Sequence, residues 1–224
     1  MKMRYIILPL FLFLITGMAS MAQRTLSEGA VFYDVSVQTG TNQPQMADMF
    51  DGATAVIYLR GSLSRSELNS ALGSTSTIFD HRNGSGLVLR DFGSQKLLIR
   101  MNRDNWTDKN KKYEGIRFTP TGETKAIAGY ACEKADAVLK DGTRFTVFYT
   151  REIVTENTEY DPQFKNLPGL VLEYESIVGN LKVKYTASRI SFDPVPMQKF
   201  EAPKAGSGYR ELTYEESIKK NSGK

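Results

Sequence analysis

The side chains that most often carry catalysis are scarce in this chain. Cys132 is the single cysteine and His81 the single histidine among 224 residues, so no other thiol and imidazole could form a nucleophile–base dyad. Cys132 follows Tyr130 and Ala131 in a strand-like run with no helix start beside it, where a free cysteine usually behaves as a small buried hydrophobe. We expect a buried structural thiol, with catalysis and an intermolecular disulfide as the open alternatives.

His81 lies between Asp80 and Arg82, directly before the turn signal Asn83-Gly84. This position predicts a turn histidine that is exposed or hydrogen-bonded. One histidine and one cysteine exclude a multi-histidine or cysteine-rich metal centre built by this chain alone. A metal at His81 and Asp80 would need distant carboxylates to converge, so we predict no metal and no cofactor.

Glu173 and Glu175 share one face of a predicted strand, about 7 Å apart from the strand rise. Paired carboxylates at a suitable separation hydrolyse glycosides, but outward positions on one strand normally form a solvated face, and nothing marks either group for a raised pKa. The sequence has no phosphate-binding Gly-Lys loop, nucleophile elbow or two-histidine helix motif. We therefore expect no catalytic residues and no enzyme, with a hydrolase as the third hypothesis.

The elements that must position these residues are mostly strands. Apolar and polar residues alternate with a period of two along most of the chain after residue 23, most clearly over 181–186. The pattern predicts about ten strands at the spacing of an antiparallel meander. The other strand-like runs lie at residues 31–37, 55–59, 75–80, 87–92, 96–101, 143–150 and 170–175.

Helical patterns are few. Residues 45–50 and 104–114 could each form a short helix, and residues 211–220 form the best one, stopped by Asn221-Ser222-Gly223. A single sheet of this many strands must curl or pack against something. We therefore predict a mainly β (α+β) fold: a curled antiparallel half-open β-barrel with one or two helices, including a C-terminal helix.

The first 22 residues have the layout of a cleavable signal peptide. Lys2 and Arg4 precede an apolar run over residues 5–15, and Ser20 and Ala22 supply small residues before the expected cleavage point. The apolar run is shorter than the roughly 20 residues of a spanning helix. We predict a signal peptide over 1–22 and a single β-rich domain over 23–224. The protein would be exported to the periplasm, associated with the outer membrane or secreted, with no transmembrane segment after cleavage.

Composition and charge exclude two broad classes. Hydrophobic residues make up 41% and charged residues 24%, which is typical of a globular chain and not of a disordered one. The net charge of +4 falls to +2 without Lys2 and Arg4. The densest basic run, Lys109 to Lys112, lies close to Asp104 and Asp108 and reads as a solvated loop. No basic patch with stacking aromatics is present, so we predict no nucleic-acid partner.

The run Asn166–Glu175, Asn-Leu-Pro-Gly-Leu-Val-Leu-Glu-Tyr-Glu, resembles the signature of the GLPGLI family of exported bacterial proteins of unknown function. Residues 127–135 and 147–150 are similar to the companion strand pattern of that family and its wider relatives. The wider group looks like the half-open β-barrels of periplasmic lipoprotein carriers. The resemblance implies this architecture, and it carries no established activity to any residue.

Pro168 and Gly169 within this run predict a structural turn. Proline fixes φ for the second position of a type II turn, and glycine supplies the positive φ of the third. Leu167 and Leu170 would anchor the turn in the core. The alternative is that the Pro168-Gly169 segment forms a loop that contacts a ligand.

Two functions fit these features. The first is an exported non-enzymatic binding protein, whose curled sheet encloses a lipid, an acyl chain or another apolar small molecule. The second is an envelope or surface protein-interaction module with a packed core. Trp106, the only tryptophan, either anchors its loop in the interior or contacts such a partner. The predicted ligand-binding residues are Val31, Tyr33, Ile57, Leu59, Ile99, Val147, Tyr149, Leu172, Leu181, Val183 and Tyr185.

Overall fold

A computed structural model describes residues 23–37, 52–178 and 181–222. The predicted signal peptide and the helical pattern at 45–50 lie outside these residues, as does the side chain of Leu181. Within the described ranges, no helix combines the length and apolar character needed to cross a membrane.

Strands dominate the described chain. They are β1 (Arg24–Leu26), β2 (Glu28–Val37), β3 (Thr54–Arg60), β4 (Leu63–Ser70), β5 (Gly73–Asp80), β6 (Ser85–Phe92), β7 (Gln95–Asn102), β8 (Arg117–Ile127), β9 (Tyr130–Val138), β10 (Arg144–Thr150), β11 (Ile153–Thr155), β12 (Leu170–Val178), β13 (Leu181–Ser191) and β14 (Arg210–Leu212). Two α-helices, α1 (Arg103–Asn110) and α2 (Tyr214–Ser222), and short 3-10 helices at Lys111–Tyr113 and Met197–Phe200 complete the elements.

Twelve of these strands form one sheet in the order β14-β7-β6-β5-β4-β3-β2-β13-β12-β10-β9-β8. All neighbours are antiparallel except β14 and β7, and β1 pairs with β11 in a separate parallel ribbon. The sheet is open, because β8 and β14 form its two edges. A 2.7 Å ion pair joins Lys125 of β8 to Glu173 of β12 across two intervening strands, so the sheet coils tightly at this end. The predicted mainly β, curled and half-open fold is confirmed.

The C-terminal helix is also confirmed, although it begins later than residue 211. Residues 210–212 pair with β7 as β14, and a reciprocal cap then starts the helix. The Thr213 hydroxyl accepts from the Glu216 N–H at 3.1 Å, and the Glu216 carboxylate accepts from the Thr213 N–H at 2.8 Å. This arrangement satisfies backbone donors that the first helical turn leaves free.

Alternate residues along β5, β6 and β7 point to opposite faces of the sheet. We call the face that packs against α1 the helix face, and the face that packs against residues 195–209 the tail face. Both faces therefore bury apolar side chains. The helix face contributes Phe79, Val88 and Ile99 to a cluster with Trp106, and the tail face contributes Ile78, Leu87 and Leu98 to a cluster with Val195 and Phe200.

Pro168 and Gly169 form a bend directly before β12, and Leu170 is fully buried, as predicted. The predicted positive φ at Gly169 is wrong. A Cβ atom at Gly169 would lie 1.9 Å from the Thr150 carbonyl oxygen. Glycine is therefore required because the backbones of the bend and of β10 approach too closely for any side chain.

Candidate functional site

A groove of about 830 Å³ opens beside α1. One wall is α1 with the 3-10 turn that follows it, and the other is the irregular segment 159–166. A smaller recess of about 160 Å³ adjoins it. The groove and the recess share the lining residues Trp106, Asn110, Tyr113 and Pro162, so together they form one continuous candidate site.

A local capping interaction places α1 over the helix face. The Asn102 side chain accepts from the Asn105 N–H at 2.9 Å, and the Asn105 side chain accepts from the Asn102 N–H at 3.1 Å. This reciprocal cap starts the helix at the end of β7. The predicted helical segment at 104–114 is thus confirmed as α1 and the 3-10 turn.

Trp106 anchors this helix and also lines the site. Its ring stacks on Phe79 with the ring centroids 4.2 Å apart and the planes at 18°, and it meets the edge of His81 at 5.5 Å. The stacking joins Trp106 to the apolar cluster of β5–β7. The same side chain lines both the groove and the recess. Contact with a partner remains a prediction for Trp106.

The floor of the recess is polar. Ile57, Ser66 and Thr77 stand side by side on β3, β4 and β5, and Ser64 lies two residues from Ser66 on the same face. Ile57 is buried, Ser66 is exposed and Thr77 is half-buried. The hydroxyl groups of β4 and β5 therefore keep the middle of the helix face open to water, between two apolar clusters.

Charged groups converge on the recess from α1 and the segment 159–166. Lys109 and Asp161 line it directly. Burial lowers the pKa of Lys109, and Lys112 and Arg90 lower it further, whereas Asp161 opposes the shift. Burial raises the pKa of Asp161 in spite of the hydrogen bond from the Gln163 N–H and the nearby lysines. Lys109, Lys112 and Asp161 are thus close enough to influence one another's charge.

His81 is hydrogen-bonded at a turn, as predicted. Its Nε2 lies 3.0 Å from the Ser64 hydroxyl, and burial lowers its pKa. The Asp80 carboxylate is used by the turn itself, where it accepts from the Ser62 hydroxyl and the Arg82 N–H. A serine–histidine pair is part of a hydrolytic triad, but within the described residues no carboxylate hydrogen-bonds the His81 ring.

Cys132 is a buried free thiol, as predicted. It is 1% exposed and packs with Phe148 and Ile127, and burial raises its pKa to about 11. A thiol of this kind is a poor nucleophile near neutral pH. His81 lies in the wall of the groove and makes no contact with Cys132. The structure therefore does not bring His81 and Cys132 together as a dyad.

The expectation of a solvated Glu173 is wrong. Glu173 is 6% exposed, and its carboxylate lies 2.7 Å from the Lys125 ammonium and 3.0 Å from the Lys184 ammonium. Lys184 comes from the adjacent strand β13, and Lys125 reaches the carboxylate from β8 across the coiled end of the sheet. Burial alone would raise the pKa of Glu173, but the two lysines outweigh it and lower the pKa. Glu175 is paired separately with Lys182 at 2.8 Å, so this face carries a structural ion-pair network.

The residues predicted to bind an apolar ligand lie mainly in packed clusters. Apart from Leu181, whose side chain is not described, all of them are buried. Only Ile57 also lines the recess, and none lines the groove. Tyr33 illustrates the packing: its hydroxyl donates to the Val171 carbonyl at 2.7 Å, and its ring meets Tyr174 edge-on at 5.8 Å. Within the described ranges, no group of three or more His, Cys, Asp or Glu residues is arranged to hold a metal ion.

No protein-family model matches the chain, and no curated protein matches it. Among solved structures, the chain is similar to MucB with 12% sequence identity and a TM-score of 0.39, over 82% of this chain and 60% of that chain. It is also similar to the complex of MucA and MucB from Pseudomonas aeruginosa, with 11% identity and a TM-score of 0.35, over 78% of this chain and 56% of that one. The chain thus spans less than two thirds of the length of these chains.

Proposed function

We propose that this chain is an exported, non-enzymatic protein-interaction module of the cell envelope, and that the groove and recess bind an extended segment of a partner protein. One observation carries the proposal. The apolar side chains inside the curled sheet pack against one another, whereas the space that is left open has a mixed lining of aromatic, hydroxyl and charged groups.

The lining suits a polypeptide better than an acyl chain. Sites for apolar ligands are lined mainly by hydrophobic side chains. In the groove, large apolar or aromatic surface comes from Trp106, Tyr113 and Pro162, and most of the other lining residues are charged or amide-bearing. Protein interfaces combine a few aromatic anchors with a polar rim of hydrogen-bonding groups. Trp106 and Tyr113 would act as the anchors and the charged residues as the rim.

Export and family membership rest on the sequence. The signal-peptide layout of residues 1–22 supports delivery to the periplasm, the outer membrane or the medium. The resemblance of residues 166–175 to the GLPGLI signature supports membership of that family of exported proteins. Both features fit a module that acts in the envelope.

An apolar ligand is the second candidate, because the Trp106 ring, stacked on the buried Phe79 ring, supplies an aromatic platform at the groove. It would lie along this platform, outside the packed clusters. A lipid carrier and a protein-interaction module then use the same opening, and they differ in the molecule that occupies it.

Photo-crosslinking in the producing cell separates the two candidates. A benzoylphenylalanine replaces Lys111, an exposed residue of the groove, and in a control protein replaces Lys204, an exposed residue of the tail. We expect a protein adduct from position 111 and none from position 204. We also expect native mass spectra of the purified protein to show no bound lipid. A lipid adduct at 111 with co-purifying lipid would favour the carrier, and equal protein adducts at both positions would contradict a groove-specific interaction.

A further inference from the structure

We propose that the recess is a carboxylate-binding subsite, into which the partner segment inserts a glutamate or aspartate side chain, or its terminal carboxylate, beside Lys109. This inference rests on the proposed protein-binding function and specifies the chemistry of the partner.

Two lysines at the recess form no ion pair with the described residues. Lys109 lines the recess, and the Lys112 Nζ lies 4.7 Å from the ring centroid of Tyr113, another residue that lines it. Within the described part of the chain, neither lysine has a carboxylate oxygen within 4 Å. Elsewhere the lysines at positions 96, 125, 134, 140, 165, 182 and 184 all form ion pairs. Lys109 and Lys112 are thus available to an incoming anion.

Hydroxyl groups around the recess add hydrogen-bond donors. Ser66, Thr77 and Tyr160 line it, and in the described residues their hydroxyls have no hydrogen-bond partner in the protein. No fully buried side-chain nitrogen or oxygen lacks a partner in these ranges, so these hydroxyls are reached by water. Hydroxyls and an ammonium that point into one small space can replace the hydration shell of a carboxylate with charge-assisted hydrogen bonds.

Among the described residues, Asp161 is the one carboxylate that lines the recess. One of its oxygens accepts from the Gln163 N–H at 3.0 Å, which fixes the side chain at the turn. Lys109 and Lys112 both favour the charged form of Asp161, so two lysines outnumber this single carboxylate at the recess. An anionic group therefore gains attraction on entering, and a cationic group would meet repulsion.

Trp106 supplies the readout, because it is the only tryptophan and lines both openings. The probe is a ten-residue peptide of alternating glutamate and serine, acetylated and amidated. Its matched partners replace glutamate by glutamine or by lysine, and a fourth peptide is the glutamine version with a free carboxyl terminus. We expect the glutamate peptide to bind at least about 10-fold more tightly than the glutamine peptide, and the lysine peptide to bind most weakly. Tighter binding of the fourth peptide than of its amidated form identifies the terminal carboxylate as the group bound.

Charge-removing variants locate the effect. In the full-length Lys109→Gln/Lys112→Gln protein the preference for glutamate should shrink to within about 3-fold, and in the matched Lys204→Gln protein it should persist. Thermal unfolding shows whether the double variant is folded. If it is unstable, the two single variants are compared with the wild-type protein instead. Equal binding of the glutamate and glutamine peptides, or an unchanged preference in the double variant, would overturn the carboxylate subsite while leaving peptide binding intact. Binding of none of the peptides would count against the proposed function itself.

Discussion

Replacement of Gly169 by alanine tests the role that the structure gives to the Pro168-Gly169 bend. The added Cβ would lie 1.9 Å from the Thr150 oxygen, 2.8 Å from its carbonyl carbon and 3.3 Å from the Arg151 Cα. All three atoms belong to the backbone, and Thr150 is held in the sheet by its pairing with β12. The clash therefore cannot be relieved by the movement of a flexible side chain. We expect Gly169→Ala to lower the free energy of unfolding by roughly 3 kcal/mol, the upper end of overpacking costs. For a domain of this size the melting temperature would fall by about 6–12 °C.

Gly142→Ala is the matched control. Gly142 has a φ of +85° and no atom within 4 Å of an added Cβ, so alanine there suffers only left-handed backbone strain of about 1 kcal/mol. Urea unfolding followed by far-UV circular dichroism gives both losses. If Gly169→Ala costs no more than Gly142→Ala, the close approach of the bend to β10 is refuted.

Three further outcomes follow from buried titratable groups. Because burial raises the pKa of Cys132 to about 11, its thiol should react with Ellman's reagent at pH 8 only after unfolding, and rapid reaction of the native protein would contradict the burial. Glu173→Gln leaves two lysines without their shared carboxylate and should cost roughly 1–3 kcal/mol. The same change at the exposed Glu211, paired with Arg100, should cost under about 1 kcal/mol; equal losses would argue against a buried network. The pKa of His81 is lower in the folded protein than its ordinary value of 6.5, so the unfolded chain binds the proton first. The free energy of unfolding should therefore fall as the pH drops below about 6.5, and His81→Asn should flatten that slope.

The sequence predicts strands where one face is buried and the other is wet. The alternation at residues 31–37 and 181–186 corresponds to β2 and β13, which pair in the sheet. β4 shows no such alternation, because its helix face carries the exposed Ser66 and its tail face the ion pair of Arg65 with Glu67. β8 is missed for a related reason: as an edge strand it is exposed along most of its length, so no apolar periodicity is required of it.

The candidate site was harder to predict than the fold. The sequence predicts a solvated loop for the basic run Lys109–Lys112. In the structure, Lys109 lines the recess together with Asp161, which lies about fifty residues further along the chain. Only the tertiary fold brings the segment 159–166 against α1. One local signal was present: Trp106 and Tyr113 flank the basic run, and aromatic residues beside lysines are typical of binding surfaces.

Backbone chemical-shift mapping with the glutamate–serine peptide tests the central claim most directly. We predict that the perturbed amides cluster on β4 and β5 around Ser66 and Thr77, along α1, and in residues 157–166. Perturbations confined to the β8 edge or to the tail face, with the groove and recess unchanged, would contradict a protein-binding site on the helix face.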